Sequence, residues 1–278
     1  MGILAIAFAY LVYGYLTLPD VRSLATVNPT TTAFMELRTE EARQQGKAPR
    51  AVQRWVPYRR ISQDLKRAVL VAEDAAFWDH DGVDYVELQK SIELDWARGQ
   101  LLRGASTITQ QLAKNLYLSP SRNPLRKLWE LVITRRLEAA LPKARILELY
   151  LNLIEWGDGI YGVEAAAHEY FGATAAQLGP SASALLAGAI INPRLLNPAK
   201  PTPRLLRRQQ MILKRMGAIS PPVESAPVHP ADSPRNITEP PVDQPAVPPP
   251  ADVPEAPASS AVAPEDSLPA SAPPAEPK

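Results

Sequence analysis

The C-terminal part of this 278-residue chain limits what the rest can fold into, because it cannot form a core of its own. From Ile219 onward the sequence contains 18 of the 30 prolines, many Ala and Ser residues, and no aromatic residue. Such a segment buries too little apolar surface to offset the conformational entropy that is lost on ordering. We therefore predict a disordered Pro/Ala-rich tail over residues 218–278, so that a single domain of ordinary size must precede it.

Charge is distributed unevenly along the chain. Residues 1–218 hold 28 basic and 20 acidic residues, a net charge of +8, whereas the whole chain carries only +1. A basic body indicates an anionic partner, and phosphates, nucleic acid and anionic lipid all remain open on this count alone. The absence of cysteine excludes a disulfide framework, a Cys-ligated zinc site and a thiol nucleophile.

The first residues form an uncharged apolar segment from Gly2 to Leu18. As a helix it would cover roughly 26 Å, slightly less than the ~30 Å hydrocarbon core of a bilayer. A cleaved signal peptide is the alternative, but it would need a basic region at its start. No basic residue precedes Gly2, and Tyr10, Tyr13 and Tyr15 suit an interfacial belt, so we predict a transmembrane anchor over residues 1–18.

The middle of the chain is predicted to be all-α. Residues 19–60 contain four prolines and are interpreted as a stalk with short ordered pieces, and residues 61–217 as one helical domain. Ser62 and Asp84 are expected to cap helices, and no alternating strand of convincing length is found. Helices are predicted over 63–73, from the Asp84 cap to about Gly99, and over 107–117, 124–141, 144–153, 160–171, 174–190 and 202–216.

The first segment with a chemical signature is residues 73–82, EDAAFWDHDG. Adjacent acids follow an apolar run, which places a carboxylate at a helix end beside nonpolar side chains. Desolvation there is expected to raise the pKa of the carboxyl group toward a value that suits a general base. The alternative is an acidic helix C-terminus followed by a turn.

The second segment is residues 104–115, GASTITQQLAKN, in which Ser106 or Thr107 begins a helix after a turn. Thr107, Gln111 and Lys114 fall on one face, with Gln110 beside Lys114. A helix N-terminus with hydroxyl groups and a lysine suits an anion. The alternative is a capped surface helix.

Two further segments add charged groups. In residues 126–130, Arg126, Lys127 and Glu130 can share a helix face through their i,i+3 and i,i+4 spacing, which is also usual for a solvated helix with ion pairs. Residues 143–152 have a strong apolar face and are mostly expected to be core. Lys143 is the clearest ligand candidate in that segment.

In this order and spacing the four segments resemble the family 51 glycosyltransferases of peptidoglycan synthesis. The resemblance continues through residues 159–172, Asn192-Pro193, Asn197-Pro198 and the Arg207-Arg208-Gln209 start of a last helix. It implies a lysozyme-like helical glycosyltransferase domain. Because no penicillin-binding domain is expected after this domain, the chain resembles the monofunctional biosynthetic peptidoglycan transglycosylases.

The resemblance also implies roles for individual residues. Glu73 would be the catalytic base, and Glu130 the second catalytic glutamate, which either holds the cations or binds a divalent ion. The substrate-binding groups would lie around them: Asp74, Phe77, His80, Ser106, Thr107, Gln110, Gln111, Lys114, Asn115, Arg126, Lys127 and Lys143.

The implied reaction polymerises lipid II into glycan strands, with inversion at C1 of the donor MurNAc and release of undecaprenyl pyrophosphate. No cofactor is firmly implied, and a divalent cation, Mg²⁺ or Mn²⁺, stays open. The expected partners are lipid II, the growing glycan strand and the membrane, with no nucleic acid, while cell-wall synthesis or division proteins stay open. The expected location is the inner membrane, with one membrane pass and a periplasmic catalytic domain.

Two other functions are compatible with parts of the pattern. A lysozyme-like glycan-cleaving enzyme would share the helical fold and a catalytic glutamate, but it needs a protonated acid at the glycosidic oxygen. A catalytically inactive cell-wall scaffold is the other alternative, and the retention of Glu73, Glu130 and the polar set argues against it.

Overall fold

The computed structural model describes residues 18–98, 106–118 and 125–217. Of the first 17 residues it describes a few helical positions, namely Gly2, Ala5, Phe8, Ala9, Val12, Gly14 and Leu16. Within these described parts, no helix is both long enough and apolar enough to cross a membrane. The predicted anchor over residues 1–18 lies mostly outside the described residues, and the predicted tail over 218–278 lies entirely outside them.

Helices make up most of the described chain, as the sequence predicted. Their bounds are α1 Ala33–Gln44, α2 Gln63–Glu73, α3 Tyr85–Arg98, α4 Ile108–Tyr117, α5 Leu125–Ala140, α6 Lys143–Leu153, α7 Val163–Phe171, α8 Pro180–Ala189 and α9 Pro203–Met216. Short 3₁₀ turns cover Arg22–Ala25, Tyr58–Arg60 and Ala175–Gln177.

The helix starts follow from their capping residues. Ser62 Oγ accepts a hydrogen bond from the Leu65 N–H at 3.0 Å, and Asp84 Oδ1 accepts one from the Glu87 N–H at 2.8 Å. Both predicted caps are therefore confirmed. Such bonds satisfy backbone donors that the first helical turn leaves free.

A small sheet is the main departure from the prediction, since no strand was expected. Strands β1 Val52–Gln53, β2 Glu155–Gly157 and β3 Ile160–Tyr161 form a sheet in the order β1-β3-β2, with β3 parallel to β1 and antiparallel to β2. Strands of two or three residues are too short to show an alternating pattern in the sequence.

Two predicted helices also begin later than expected. The helix predicted over 160–171 begins at Val163, because Gly162 has a φ of +79° and a Cβ there would lie 2.7 Å from the Asn152 carbonyl oxygen. Only glycine fits this conformation without strain. The helix predicted over 174–190 begins at Pro180, after the 3₁₀ turn Ala175–Gln177, because proline suits a first helical turn and not its interior.

Helix α6 lies at the centre of the core, since every residue of it after Lys143 is buried. Helix α4 packs against α1, α5 and α6, while α2 packs against α8 and α9. The cleft described below is therefore built on helices whose inner faces are fixed by the same core.

The segment over residues 19–60, expected as a stalk with ordered pieces, contributes to this core. Arg145 of α6 is almost fully buried, and its guanidinium donates to the carbonyl oxygens of Leu24 and Val27 at 2.8 and 3.2 Å and to Asn28 Oδ1 at 2.7 Å. It also lies 3.2 Å from a Glu148 carboxylate oxygen. A buried arginine thus holds the N-terminal part of the segment against α6.

Lys66 is a second buried cation, on α2. Its side chain is 1% exposed, its Nζ donates to the Tyr58 carbonyl oxygen at 3.3 Å, and it lies 4.1 Å from the centroid of the Tyr58 ring. Burial lowers the pKa of Lys66 from 10.5 to about 8. The charged form is therefore a source of instability near neutral pH.

Lys66 is predicted to make unfolding depend on pH in the alkaline range. Between about pH 8 and 10.5 the unfolded chain binds more protons at this lysine, so the free energy of unfolding should rise with pH there. Lys66→Met should remove that rise and stabilise the protein at pH 7 by up to about 3 kcal/mol. Urea denaturation at pH 7 and pH 10 measures both effects.

The exposed Lys214→Met is the matched control and should follow the wild-type pH dependence. Equal pH dependences for Lys66→Met and the wild type would contradict the assignment of this titration to Lys66.

Candidate active site

A cleft of about 1050 Å³ opens at the C-terminal end of α2. Its wall is formed by the end of α2, the loop that follows it, the start of α3 and the start of α4. Among the predicted site residues, those that line it are Glu73, Asp74, His80, Ser106 and Thr107. Arg135 of α5 and Arg215 of α9 also line this cleft.

Glu73 is the last residue of α2, and 13% of its side chain is exposed. Burial raises the pKa of its carboxyl group, and the neighbouring Asp74 adds to that effect. The Gln111 Nε2 group donates to Glu73 Oε2 at 3.0 Å. This hydrogen bond and the charges of Arg208 and Lys114 lower the pKa of Glu73 but do not cancel the effect of burial. Glu73 is therefore a buried carboxylate at a helix end, as the sequence predicted, and its burial raises the pKa.

Asp74 directs both of its carboxylate oxygens into the protein. Its Oδ1 lies 2.9 Å from His80 Nε2, and its Oδ2 accepts from the Ile108 N–H, at the start of α4, at 2.9 Å. The Gly82 N–H donates to His80 Nδ1 at 3.1 Å, so Nε2 carries the proton and donates to Asp74. The carboxylate and the imidazole thus join the end of α2 to the start of α4.

Phe77 and Lys143 lie beneath the cleft. The Phe77 ring is fully buried and meets the His80 ring edge-on, with centroids 6.4 Å apart. The Lys143 ammonium lies 4.5 Å from the Phe77 centroid and donates to Glu138 Oε1 at 2.9 Å. The structure therefore places Lys143 in a pair with Glu138, which also accepts from Thr109 Oγ1 at 2.5 Å.

Several polar residues of α4 bond within the protein. Thr107 and Gln110 form a reciprocal capping box, and Thr107 Oγ1 donates to the Gly82 carbonyl oxygen at 2.7 Å. Asn115 is buried and donates to the Gln111 carbonyl oxygen at 2.8 Å. Ser106, by contrast, is exposed in the cleft wall. The first two residues of this motif, 104 and 105, lie outside the described residues.

The predicted cluster of cations forms around Glu130. Its buried carboxylate contacts Arg126 at 3.3 Å and forms a short hydrogen bond with Lys127, as the i,i+4 and i,i+3 spacing indicated. The Lys127 side chain is 56% exposed, so its outer side is open to a further anion.

Lys114 links this cluster to Glu73. Partial burial lowers the pKa of Lys114, and the charges of Arg126 and Lys127 lower it further. The charges of Glu130 and Glu73 act in the opposite direction. The charge of Lys114 thus interacts with Glu73 and Glu130, the two glutamates that the sequence predicted to be catalytic. The structure brings the base candidate and three cations into one electrostatic neighbourhood.

Sequence reasoning missed Tyr150, Arg208 and Glu138. The Tyr150 hydroxyl donates to Gln111 Oε1 at 3.0 Å, and Arg208 Nη2 lies 3.6 Å from Glu73 Oε1. Tyr150 stands in an apolar run that indicates core, and Arg208 lies far along the chain on α9. No local spacing in the sequence connects either residue to Glu73.

The donor set does not fit a divalent cation at Glu130. One of its carboxylate oxygens bonds Arg126 and the other bonds Lys127, so two positive charges already lie where a metal ion would have to bind. Within residues 18–98, 106–118 and 125–217, no three His, Asp or Glu side chains converge as a metal site requires.

Comparison with known proteins agrees with this geometry. The profile of the family described as "Transglycosylase" matches residues 38–217. A protein of Dechloromonas aromatica (strain RCB), named "Biosynthetic peptidoglycan transglycosylase", is 48% identical over 196 residues, which cover 70% of this chain and 85% of the relative.

Two further relatives carry the same name. The protein of Nitrosomonas eutropha (strain DSM 101675 / C91 / Nm57) is 49% identical over 195 residues, covering 69% of this chain and 78% of the relative. That of Aromatoleum aromaticum (strain DSM 19018 / LMG 30748 / EbN1) is 50% identical over 191 residues, covering 68% and 82%. With the family profile spanning more than half of its length, the chain belongs to the transglycosylase family.

Proposed function

We propose that this protein is a peptidoglycan glycosyltransferase that polymerises lipid II into glycan strands and releases undecaprenyl pyrophosphate. The observation that carries the proposal is a largely buried glutamate that bonds Gln111 of α4, with Lys114 one turn farther along that helix, where its charge interacts with both Glu73 and the Glu130 cluster. A base and an anion-binding group are the two functions that this reaction requires. The names of the curated relatives support the same substrate class, and we expect the helical domain to be lysozyme-like.

Glu73 acts as the general base. The oxygen of the acceptor GlcNAc 4-hydroxyl forms a bond to C1 of the donor MurNAc, and its proton passes to the Glu73 carboxylate. A pKa that burial raises toward the working pH suits a group that takes up this proton and later gives it to water. Attack from the face opposite the leaving group inverts the configuration at C1.

The cations act on the leaving group. As the bond from C1 to the phosphate oxygen breaks, its electron pair stays on the pyrophosphate, which leaves as an anion. Lys114, Arg126 and Lys127 stabilise that charge, and Glu130 holds the Arg126 and Lys127 head groups in place. Charge stabilisation of this kind is commonly the largest contribution to catalysis, because the groups are already oriented before reaction.

Glycan cleavage is the second candidate, and the contacts of Asp74 argue against it. Most glycosidases use a second carboxylate that faces the sugar or an attacking water. Asp74 is the neighbouring acid, but it is buried and its oxygens bond His80 and the Ile108 N–H. The combination of a buried Glu73 in the cleft wall with a buried, ion-paired Glu130 argues against an inactive scaffold.

We also propose that the protein works at the inner membrane, because its donor is a lipid, and at the outer face of that membrane, as the family resemblance implies. Support comes from a shallow groove of about 540 Å³ that is lined by three arginines, Arg22, Arg135 and Arg136, and by the apolar side chains of Leu131, Val132 and Ala139. Within the described parts of the chain, neither Arg22 nor Arg136 forms an ion pair with a carboxylate. Arg22 lies four residues after the end of the segment predicted as the anchor, so these cations suit anionic lipid headgroups. Proteins of cell-wall synthesis or division are further partners that fit this location.

Glu73→Gln should abolish polymerisation while the fold is kept. The amide retains the size of the side chain but cannot take up the acceptor proton, and loss of a general base commonly costs about 10²- to 10⁴-fold in rate. The measurement is the conversion of labelled lipid II to polymer by purified full-length protein. Incubation with finished glycan strands, which should remain uncut, tests the cleavage alternative.

Circular dichroism of Glu73→Gln provides the folding control. Substantial polymer from a folded Glu73→Gln variant would move the base to another residue, with Asp74 the next candidate.

Lys114→Ala and Lys127→Ala should each slow polymerisation, because each removes a charge from the pyrophosphate side. Loss of one preorganised group of this kind costs on the order of 10²-fold. Initial rates with lipid II measure the effect, and Lys200→Ala, an exposed lysine on a loop, is the matched control. Normal rates for both variants would mean that these residues form only a solvated ion-paired face.

The full chain should fractionate with membranes, and deletion of residues 1–18 should weaken this association without abolishing it. The remaining binding should require anionic phospholipid and fall with salt, because each basic residue near a charged surface contributes about 1 kcal/mol. Vesicle sedimentation with and without phosphatidylglycerol measures it, and Arg22→Glu with Arg136→Glu should reduce it further.

A reporter that is active only in the periplasm, fused after Met216, tests the side of the membrane. A silent reporter in a well-expressed fusion would place the domain in the cytoplasm.

A further inference from the structure

Three helices meet through a chain of two hydrogen bonds that ends on Glu73. Tyr150 lies in the middle of α6 and is fully buried, and its hydroxyl donates to Gln111 Oε1 at 3.0 Å. Gln111 lies on α4, and its Nε2 group donates to Glu73 Oε2, at the end of α2, at 3.0 Å. The buried phenol thus reaches the carboxylate through one amide.

The chemistry of the three groups fixes the direction of this chain. An ionised carboxylate only accepts hydrogen bonds, so the NH₂ side of the Gln111 amide must face Glu73 and its oxygen must face Tyr150. Burial raises the pKa of Tyr150 well above its usual value, with the Glu73 and Asp74 charges adding to the shift. The phenol therefore keeps its proton and remains a donor over the working pH range.

We infer that Tyr150 is a positioning residue, which locks the Gln111 amide so that its NH₂ group holds the Glu73 carboxylate ionised and oriented. This inference rests on the proposed role of Glu73 as the base. The Gln111 amide, locked in this way, offers Glu73 a donor and never its oxygen. A carboxylate held ionised before the acceptor binds is ready to take up the proton of the attacking hydroxyl.

Among the groups around Glu73, Gln111 has the largest effect that lowers the pKa of this carboxyl group, against the increase that burial causes. Burial and Asp74 raise its pKa, whereas the Gln111 hydrogen bond, Arg208 and Lys114 lower it, in that order of size. Helix α8, which packs against α2, contains no titratable residue, and Arg215 lines the cleft farther along α9. Weakening the Gln111 bond should therefore move the titration of Glu73 upward.

Tyr150→Phe removes only the hydroxyl that holds the amide. The amide can then rotate and present its oxygen to Glu73, which disfavours the ionised carboxylate. The acid limb of the profile of kcat/KM against pH should move up by about one unit, so that the rate below that limb falls roughly tenfold. The KM for lipid II should change less than about twofold, since the hydroxyl does not reach the cleft.

The experiment compares full-length wild type, Tyr150→Phe, Gln111→Leu and the double variant with lipid II between pH 5 and 9. Gln111→Leu should shift the acid limb in the same direction, and Tyr150→Phe should add nothing in that background, because Tyr150 acts through Gln111. Tyr161→Phe is the matched control, since its buried hydroxyl has no hydrogen-bond partner among the described residues. Its profile should match that of the wild type.

A second measurement does not depend on turnover. Titration of ¹³C-labelled glutamate carboxyl groups by NMR, with Glu73→Gln used to assign the signal, should show a higher Glu73 pKa in Tyr150→Phe and Gln111→Leu. If the two variants show this higher Glu73 pKa but the wild type makes no polymer, the proposed function fails and the positioning role stands. If Tyr150→Phe does not fold, the Gln111→Leu titration decides. An unshifted Glu73 titration in the folded variants would overturn the inference.

Discussion

One carboxylate joins two of the helices that line the cleft, α2 and α4. Asp74 follows the last residue of α2, and its oxygens bond His80 and the first N–H of α4. A negative charge at a helix N-terminus is favoured by the helix dipole and by the free N–H groups there. Because this bond fixes α4 against the end of α2, Gln111 reaches Glu73, and the base obtains its main hydrogen bond.

Much of this arrangement is local in the chain and could be predicted from the sequence. The caps at Ser62 and Thr107, the i,i+3 and i,i+4 contacts of Glu130, and the burial of a carboxylate at the end of an apolar run all depend on neighbours within a few residues. Helical periodicity carries such information because residues three and four apart share a face. Even so, the pairing of Glu73 with the Glu130 cluster came only from family resemblance, because no spacing relates groups on different helices.

What the sequence did not predict depends on tertiary contacts. Lys143 was predicted to bind substrate, and no spacing in the sequence indicated its contact with the Phe77 ring or its pairing with Glu138. Arg208 reaches Glu73 only because α9 packs on α2. Tyr150 has the sequence context of a core residue, and its hydroxyl matters only because the core of α6 lies directly behind Gln111.

The buried Arg145 has a mechanical consequence. Its guanidinium bonds Leu24, Val27 and Asn28 and so fixes the segment that leads into the domain, which without these bonds would be a flexible linker. A flexible linker would let the cleft sample a range of heights above the bilayer, and that range would grow with the length of the linker. If residues 1–18 are embedded as proposed, only the few residues before Leu24 separate the bilayer from the fixed part of the chain, which narrows the range of heights at which the cleft can work.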